Sequence, residues 1–179
     1  MNQSQNYLKA SLLIIALIAF ISLFAQLSIT ISMIPITGQT LAIGIIASIF
    51  SLRIGLIVVI SYLLLGALGF PIFANQKSGI DAILGATGGL LVGFIFYVIT
   101  VRVCLNISKK IISFIGANLL ATLITLIFGS AWLYVSKDLS MMKVINVAMI
   151  PFVASGIIKS ILSAIIGYSS MLYLRRSNQ

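Results

Sequence analysis

The sequence predicts an all-α integral membrane protein, a six-transmembrane-helix bundle with both termini in the cytoplasm. Three observations lead there. Only 7% of the 179 residues are charged and 61% are hydrophobic, with a mean hydropathy of +1.24. A soluble domain carries about 25% charged residues, and this chain has too few to cover its own surface. The apolar residues also fall in long runs separated by short charged junctions, as a hydrocarbon core of about 30 Å requires. Finally, the positive charges are divided unequally. Lys9, Arg53, Arg102, Lys109, Lys110, Arg175 and Arg176 fall on one side of the implied membrane; Lys77, Lys137 and Lys143 fall on the other, accompanied by Asp81 and Asp138. The positive-inside rule assigns the first side to the cytoplasm.

Each segment follows in order. The first runs from about Ala10 to Ile31, after a short cytoplasmic N-terminus of residues 1–9. It is longer than a signal-peptide core and only Lys9 precedes it, so it reads as a retained helix. The second, about Gln39 to Phe50, and the third, Arg53 to Leu68, fall below the ~20 residues of a full span. They must tilt little or sit inside the bundle, shielded by longer neighbours. The fourth runs from about Ile83 to Val103, the fifth from Ile111 to Val135 and the sixth from Val144 to Leu174, leaving a short cytoplasmic C-terminus at 175–179. No Pro/Ser-rich linker or internal repeat divides the chain, so residues 1–179 read as one membrane domain.

Small residues recur at helix-packing spacing: Gly85, Gly89 and Gly93, then Gly156, Ser160 and Ala164. Such stripes let helices approach closely in lipid, although "GATGG" is richer in glycine than packing requires. Two noncytoplasmic connections stand out. "SMIPITGQT" is almost uncharged and holds Pro35, Thr37, Gln39 and Thr40; "GFPIFANQKSGIDAILGATGG" holds Phe73, Asn75, Lys77 and Asp81. Proline, glycine and polar residues at helix ends fit either ordered loops folded into a bundle mouth or ordinary solvated turns.

Composition removes several function classes. The basic residues that give a net charge of +9 are scattered one to three at a time, whereas a nucleic-acid surface clusters them on one face; the reading is no nucleic acid. There is no histidine and one cysteine, Cys104, so the usual zinc sets and His-dependent triads are absent. "GATGGLLVG" lacks the lysine of a phosphate-binding loop. The catalytic option left is a Ser–Lys dyad of Lys159 with Ser155 or Ser163, each four residues away on the same helical face.

Lys159 is the outstanding residue. It lies about 22 Å of helix from either end of the sixth segment, too central for easy snorkelling. A charge there costs about 2.5–3.5 kcal/mol even on the gentler insertion scale. A cavity with an anionic partner explains it; a neutral buried lysine or a helix boundary nearer Lys159 are the alternatives. Asp81, just before the glycine cluster, suits a helix N-terminus.

"IPITGQTL", "LLLGALGFPIFA", "GATGGLLVGF" and "PF" followed by "IIK" resemble, in order and spacing, the BioY family of biotin-binding S-components of energy-coupling factor (ECF) transporters. The likeness extends from about Ile34 to Ile161. It implies a plasma-membrane, six-helix domain that binds biotin near its outer face, with no cofactor and no enzymatic activity. Its partners would be a transmembrane coupling protein and two ATPase subunits, which accounts for the missing phosphate loop. On this resemblance Lys159 meets the biotin carboxylate, Asn75 lies in the binding loop, Gln39 matches the glutamine of "PITLQTL", and Thr87, Gly88 and Gly89 match "GPTGG". Phe73 joins the expected substrate-binding set.

The chain departs from the family pattern. Gly156 stands where the family has the aspartate expected to help read the ureido ring; Ala86 and Leu90 replace a proline and a tyrosine, and Asp81 a common glycine. Asp81 is therefore expected to supply the carboxylate that position 156 lacks. The first helix, expected to dock the coupling protein, has Ala10, Ala16 and Ala19 but no Ala-x-x-x-Ala pair. An autonomous secondary carrier is the competing reading, although no intramembrane carboxylate that would carry protons is seen.

Overall fold

A computed structural model describes residues 3–30 and 33–177, which are mostly helical. Helix α1 spans Gln3–Gln26, α2 Gln39–Ile49, α3 Leu52–Ala67, α4 Ile80–Leu84, α5 Gly88–Ile107, α6 Ile111–Lys137, α7 Met141–Val144 and α8 Ile150–Ser177. A π-helical turn, Ile145–Met149, joins α7 to α8, so helical backbone continues from Met141 to Ser177. Among the described residues, four runs are long and apolar enough to cross a membrane: Gln5–Gln26, Gly88–Ile107, Ile111–Lys137 and Met141–Ser177.

Several expected boundaries move. Residues 3–9 are the first turns of α1 and 175–177 the last turn of α8, not separate tails. Polar residues can continue a helix beyond the apolar core because its backbone stays bonded within the segment. At its other end α1 stops at Gln26, short of the expected Ile31, which lies outside the described residues. There β1 (Ser28–Ile29) pairs antiparallel with β2 (Ile36–Thr37), a small hairpin that the all-α reading did not include. The expected fourth helix is broken: α4 ends at Leu84 and α5 starts at Gly88. At the break the Gly85 carbonyl accepts from the Gly88 backbone N–H at 3.1 Å and from the Trp132 indole N–H of α6 at 2.9 Å.

The two short helices differ in placement. In α2, Ala42, Ile43, Gly44, Ile46, Ala47 and Ser48 are all buried, and the helix packs against α1, α5 and α8. It need not match the bilayer thickness because protein surrounds it. Helix α3 is buried on one face, at Val58, Val59 and Tyr62, while Ile57, Ile60 and Leu64 are exposed on the other. Similar exposed rows run along α6 (Leu120, Leu123, Ile127) and α8 (Ile158, Ile161, Ile165) at helical spacing, as lipid-facing surfaces require.

Helices α5 and α6 form the most intimate pair. A Cβ at Gly89 would collide with Trp132 and with the α6 backbone at Phe128 and Gly129, so a glycine is what this approach demands. Deeper in the bundle, Asn118 is fully buried and ties four helices together. Its Nδ2 donates to Ser48 Oγ at 3.1 Å and to the Phe114 carbonyl at 2.9 Å. Its Oδ1 accepts from the Tyr97 hydroxyl at 3.0 Å, and its carbonyl accepts from Ser160 at 3.2 Å. A buried amide so satisfied fixes helix register.

Candidate functional site

The bundle opens where α2, α5 and α8 begin and α3 and α6 end. A cavity there opens to solvent and holds about 740 Å³ of atom-free space with its open mouth included. Its walls are mainly apolar, with Ile34, Leu91, Phe94, Leu126 and Phe152 among them. The polar lining comes from Thr37, Gln39, Thr40, Thr87, Thr122 and Thr125, and the charged lining is Lys77 and Lys159. No carboxylate among the described residues lines it.

Lys159 reaches this space from midway along the Met141–Ser177 helical run. Its Nζ donates to the Thr37 carbonyl of β2 at 2.9 Å. The hairpin thus presents a backbone acceptor to an ammonium group that still has further donors to offer. Neither candidate serine bonds to it: Ser155 Oγ donates to the Phe152 carbonyl at 3.3 Å and Ser163 Oγ to the Leu41 carbonyl at 3.1 Å.

Gln39 opens α2 at the cavity wall and is held from two sides. Its Oε1 accepts from Thr37 Oγ1 at 2.9 Å and its Nε2 donates to the Tyr62 hydroxyl at 2.6 Å. Tyr62 in turn donates to the Ile72 carbonyl at 3.0 Å. The amide plane is therefore set before any ligand arrives, and that preorganisation lowers the entropic cost of binding. Next to it, Thr40 lines the cavity, and its Oγ1 is buried with no partner among the described residues. A buried hydroxyl left unbonded costs about 1–3 kcal/mol, a cost that a bound polar group would relieve.

Phe73 is buried at the wall, edge-on to Tyr62 with ring centroids 5.4 Å apart. Its loop is pinned by Gln26, whose Nε2 donates to the Phe73 carbonyl at 3.1 Å while its Oε1 accepts from the Gln76 backbone N–H at 3.1 Å. Thr87 also lines the cavity; its hydroxyl donates to the Ala82 carbonyl at 3.3 Å.

Four expected residues stand elsewhere. Gly88 and Gly89 are buried behind the wall, where their missing side chains admit Ile83, Trp132 and the α6 backbone. Asn75 is exposed outside the cavity lining, has φ 56°, and accepts from Ser28 Oγ at 2.6 Å through Oδ1. Asp81 is exposed in the first turn of α4 and is not brought to the cavity. It does not occupy the place near Gly156 expected of it, because the 80–84 helix carries it to the outer surface while Ala82 faces inward. Gly156 itself lines the cavity, and a Cβ there would sit 2.8 Å from Thr122 Cγ2. The α6–α8 approach leaves no room for a carboxylate unless Thr122 moves.

Sequence reasoning named Thr37, Thr40 and Lys77 in the two connections without choosing them as site residues, and passed over Thr122 and Thr125. Lys77 announced itself as a charge, and Thr122 and Thr125 as hydroxyls three apart in an apolar helix. Nothing local distinguished them from helix-packing threonines.

The BioY family profile matches residues 1–176. The biotin transporter BioY2 of Lactococcus lactis subsp. cremoris (strain MG1363) is 34% identical over 177 residues, covering 98% of this chain and 97% of that protein. The biotin transporter BioY of Thermotoga maritima is 31% identical over 149 residues, covering 83% and 87%. In fold, the chain is similar to the S-component for biotin from an ECF-type ABC transporter, with a TM-score of 0.81 at 21% identity over 98% of this chain and 95% of that one. The profile and the full-length likeness to BioY2 agree, and the chain belongs to the BioY family.

Proposed function

We propose that this protein is a biotin-capturing membrane subunit, an S-component and not an enzyme, with the vitamin held in the α2–α5–α6–α8 cavity. The observation that carries the reading is Lys159, a cation facing an apolar cavity whose lining includes no carboxylate. A ligand that brings its own carboxylate supplies the missing charge, and a charge-assisted bond at such a site is about twice as strong as a neutral one. Biotin has one such group on an apolar chain. Its bicyclic head needs a few donors and acceptors in an apolar wall, which Gln39, Thr40 and Thr87 offer beside Phe73.

In this reading α1, α2, α3, α5, α6 and the α7–α8 run are the six spans of a single domain in the plasma membrane, with both termini cytoplasmic. The excess of positive residues at the end opposite the cavity supports that orientation. Transport is energised by a coupling membrane protein and two ATPase subunits, because the chain has no phosphate-binding loop of its own. Equilibrium binding of radiolabelled biotin to the purified protein tests the assignment: saturable retention of one biotin per chain is expected. A protein that elutes folded and retains none would overturn it.

A further inference from the structure

A second pocket lies at the opposite end of the bundle, between the end of α2, the end of α5, the start of α6 and the end of α8. Three cations line it: Arg102 from α5, Lys109 from the α5–α6 connection and Arg175 from α8. The chain's two acidic residues, Asp81 and Asp138, adjoin the other ends of α5 and α6, so no carboxylate side chain neutralises this cluster. Arg102 is half-buried. Its Nη1 reaches the Ala47 and Ser48 carbonyls only at 3.5 Å each, and its Nε is buried with no partner among the described residues. A guanidinium presents its donors as a planar fork suited to two oxygens of one anion, and here part of that fork is unused. Apart from Ser48, the remaining wall is apolar, formed by Ile49, Leu105, Phe114, Met171 and Leu174.

We propose that this pocket binds the phosphate of an anionic glycerophospholipid, with Arg102 as its buried anchor and Lys109 and Arg175 closing over it. A phosphodiester supplies the acceptor that Arg102 Nε lacks. The apolar wall beside the cations favours a lipid over free phosphate, since it can take the start of an acyl chain. Basic pockets between membrane helices are suited to such headgroups.

The test is native mass spectrometry of the detergent-purified, delipidated full chain after incubation with phosphatidylglycerol or phosphatidylcholine. One phosphatidylglycerol should be retained per wild-type chain, against little phosphatidylcholine. The double variant R102Q/R175Q should lower occupancy about tenfold or more, since loss of even one charged hydrogen bond is worth that much. The variant K110Q/R176Q removes the same charge from the same end outside the pocket and should retain the lipid. Equal loss in both variants would show diffuse attraction and overturn the proposal, as would equal retention of phosphatidylcholine. Displacement of the lipid by millimolar inorganic phosphate would assign the pocket to the free anion instead. Monomeric elution of R102Q/R175Q shows that the variant is folded; if it does not elute so, R102K, which keeps the charge but loses the planar fork, should show the same selective loss.

Discussion

Replacing Lys159 with Met removes the ammonium group and keeps an unbranched side chain of similar length. In the free protein the change deletes the 2.9 Å bond to the Thr37 carbonyl. With biotin bound it also leaves the ligand carboxylate facing an apolar wall with only Lys77, exposed at the mouth, as a compensating cation. A hydrogen bond to a charged group contributes about 1.5–3 kcal/mol, and stripping one partner from a fully buried pair costs about 3–5 kcal/mol. Lys159 is half-buried, so the loss should fall between these ranges, at about 2–4 kcal/mol. That corresponds to about 30- to 700-fold weaker binding. Isothermal titration of wild type and K159M with biotin, and with its uncharged methyl ester, separates charge from packing. The loss should appear with biotin and largely vanish with the ester. Equal losses for both ligands, or wild-type affinity in K159M, would refute the argument that the cation reads the carboxylate.

Other consequences are as specific. Asp81→Ala should change biotin affinity by less than about twofold, because the side chain is exposed and outside the cavity; filter binding checks it, and a sharp loss would restore Asp81 to the site. Thr40→Val removes a buried hydroxyl with no partner among the described residues, so it should hold or raise thermal stability by up to about 1 kcal/mol while weakening biotin binding about tenfold. Paired melting and titration measurements show both signs. Asn118→Leu removes the amide that bonds the Tyr97 and Ser48 hydroxyls and should destabilise the bundle by about 2–5 kcal/mol, read as an earlier thermal transition in detergent. An unchanged transition would mean that the amide does not tie α2 and α5 to α6.

Much of the bundle was legible because lipid imposes a simple rule: apolar runs with internally satisfied backbones. That rule located the apolar core of every long helix and the two short ones to within a few residues. It failed at the ends of α1 and α8, where polar residues stay helical, and at Gly85, whose carbonyl at the break is bonded by a tryptophan 47 positions away. The cavity was legible through Lys159, whose charge has no cheap place in a membrane. Gln39, matched through the family resemblance, and Phe73, named in the second connection, both line the cavity. Asp81 stands outside the cavity lining, because being on the same side of the membrane does not determine which way a short helix turns its faces.

By itself, the sequence determined the solvent, the order of the helices and the cation midway along the last helix, since each follows from local composition weighed against the energetics of a bilayer. Only the tertiary structure decided what surrounds that cation. Thr37, Thr40, Thr122 and Lys159 meet across three helices and a hairpin, and Gly156 is explained by Thr122 lying against it. Such contacts join residues far apart in the chain. Their geometry is fixed by how closely neighbouring helices can approach, a property of paired surfaces that no single segment carries.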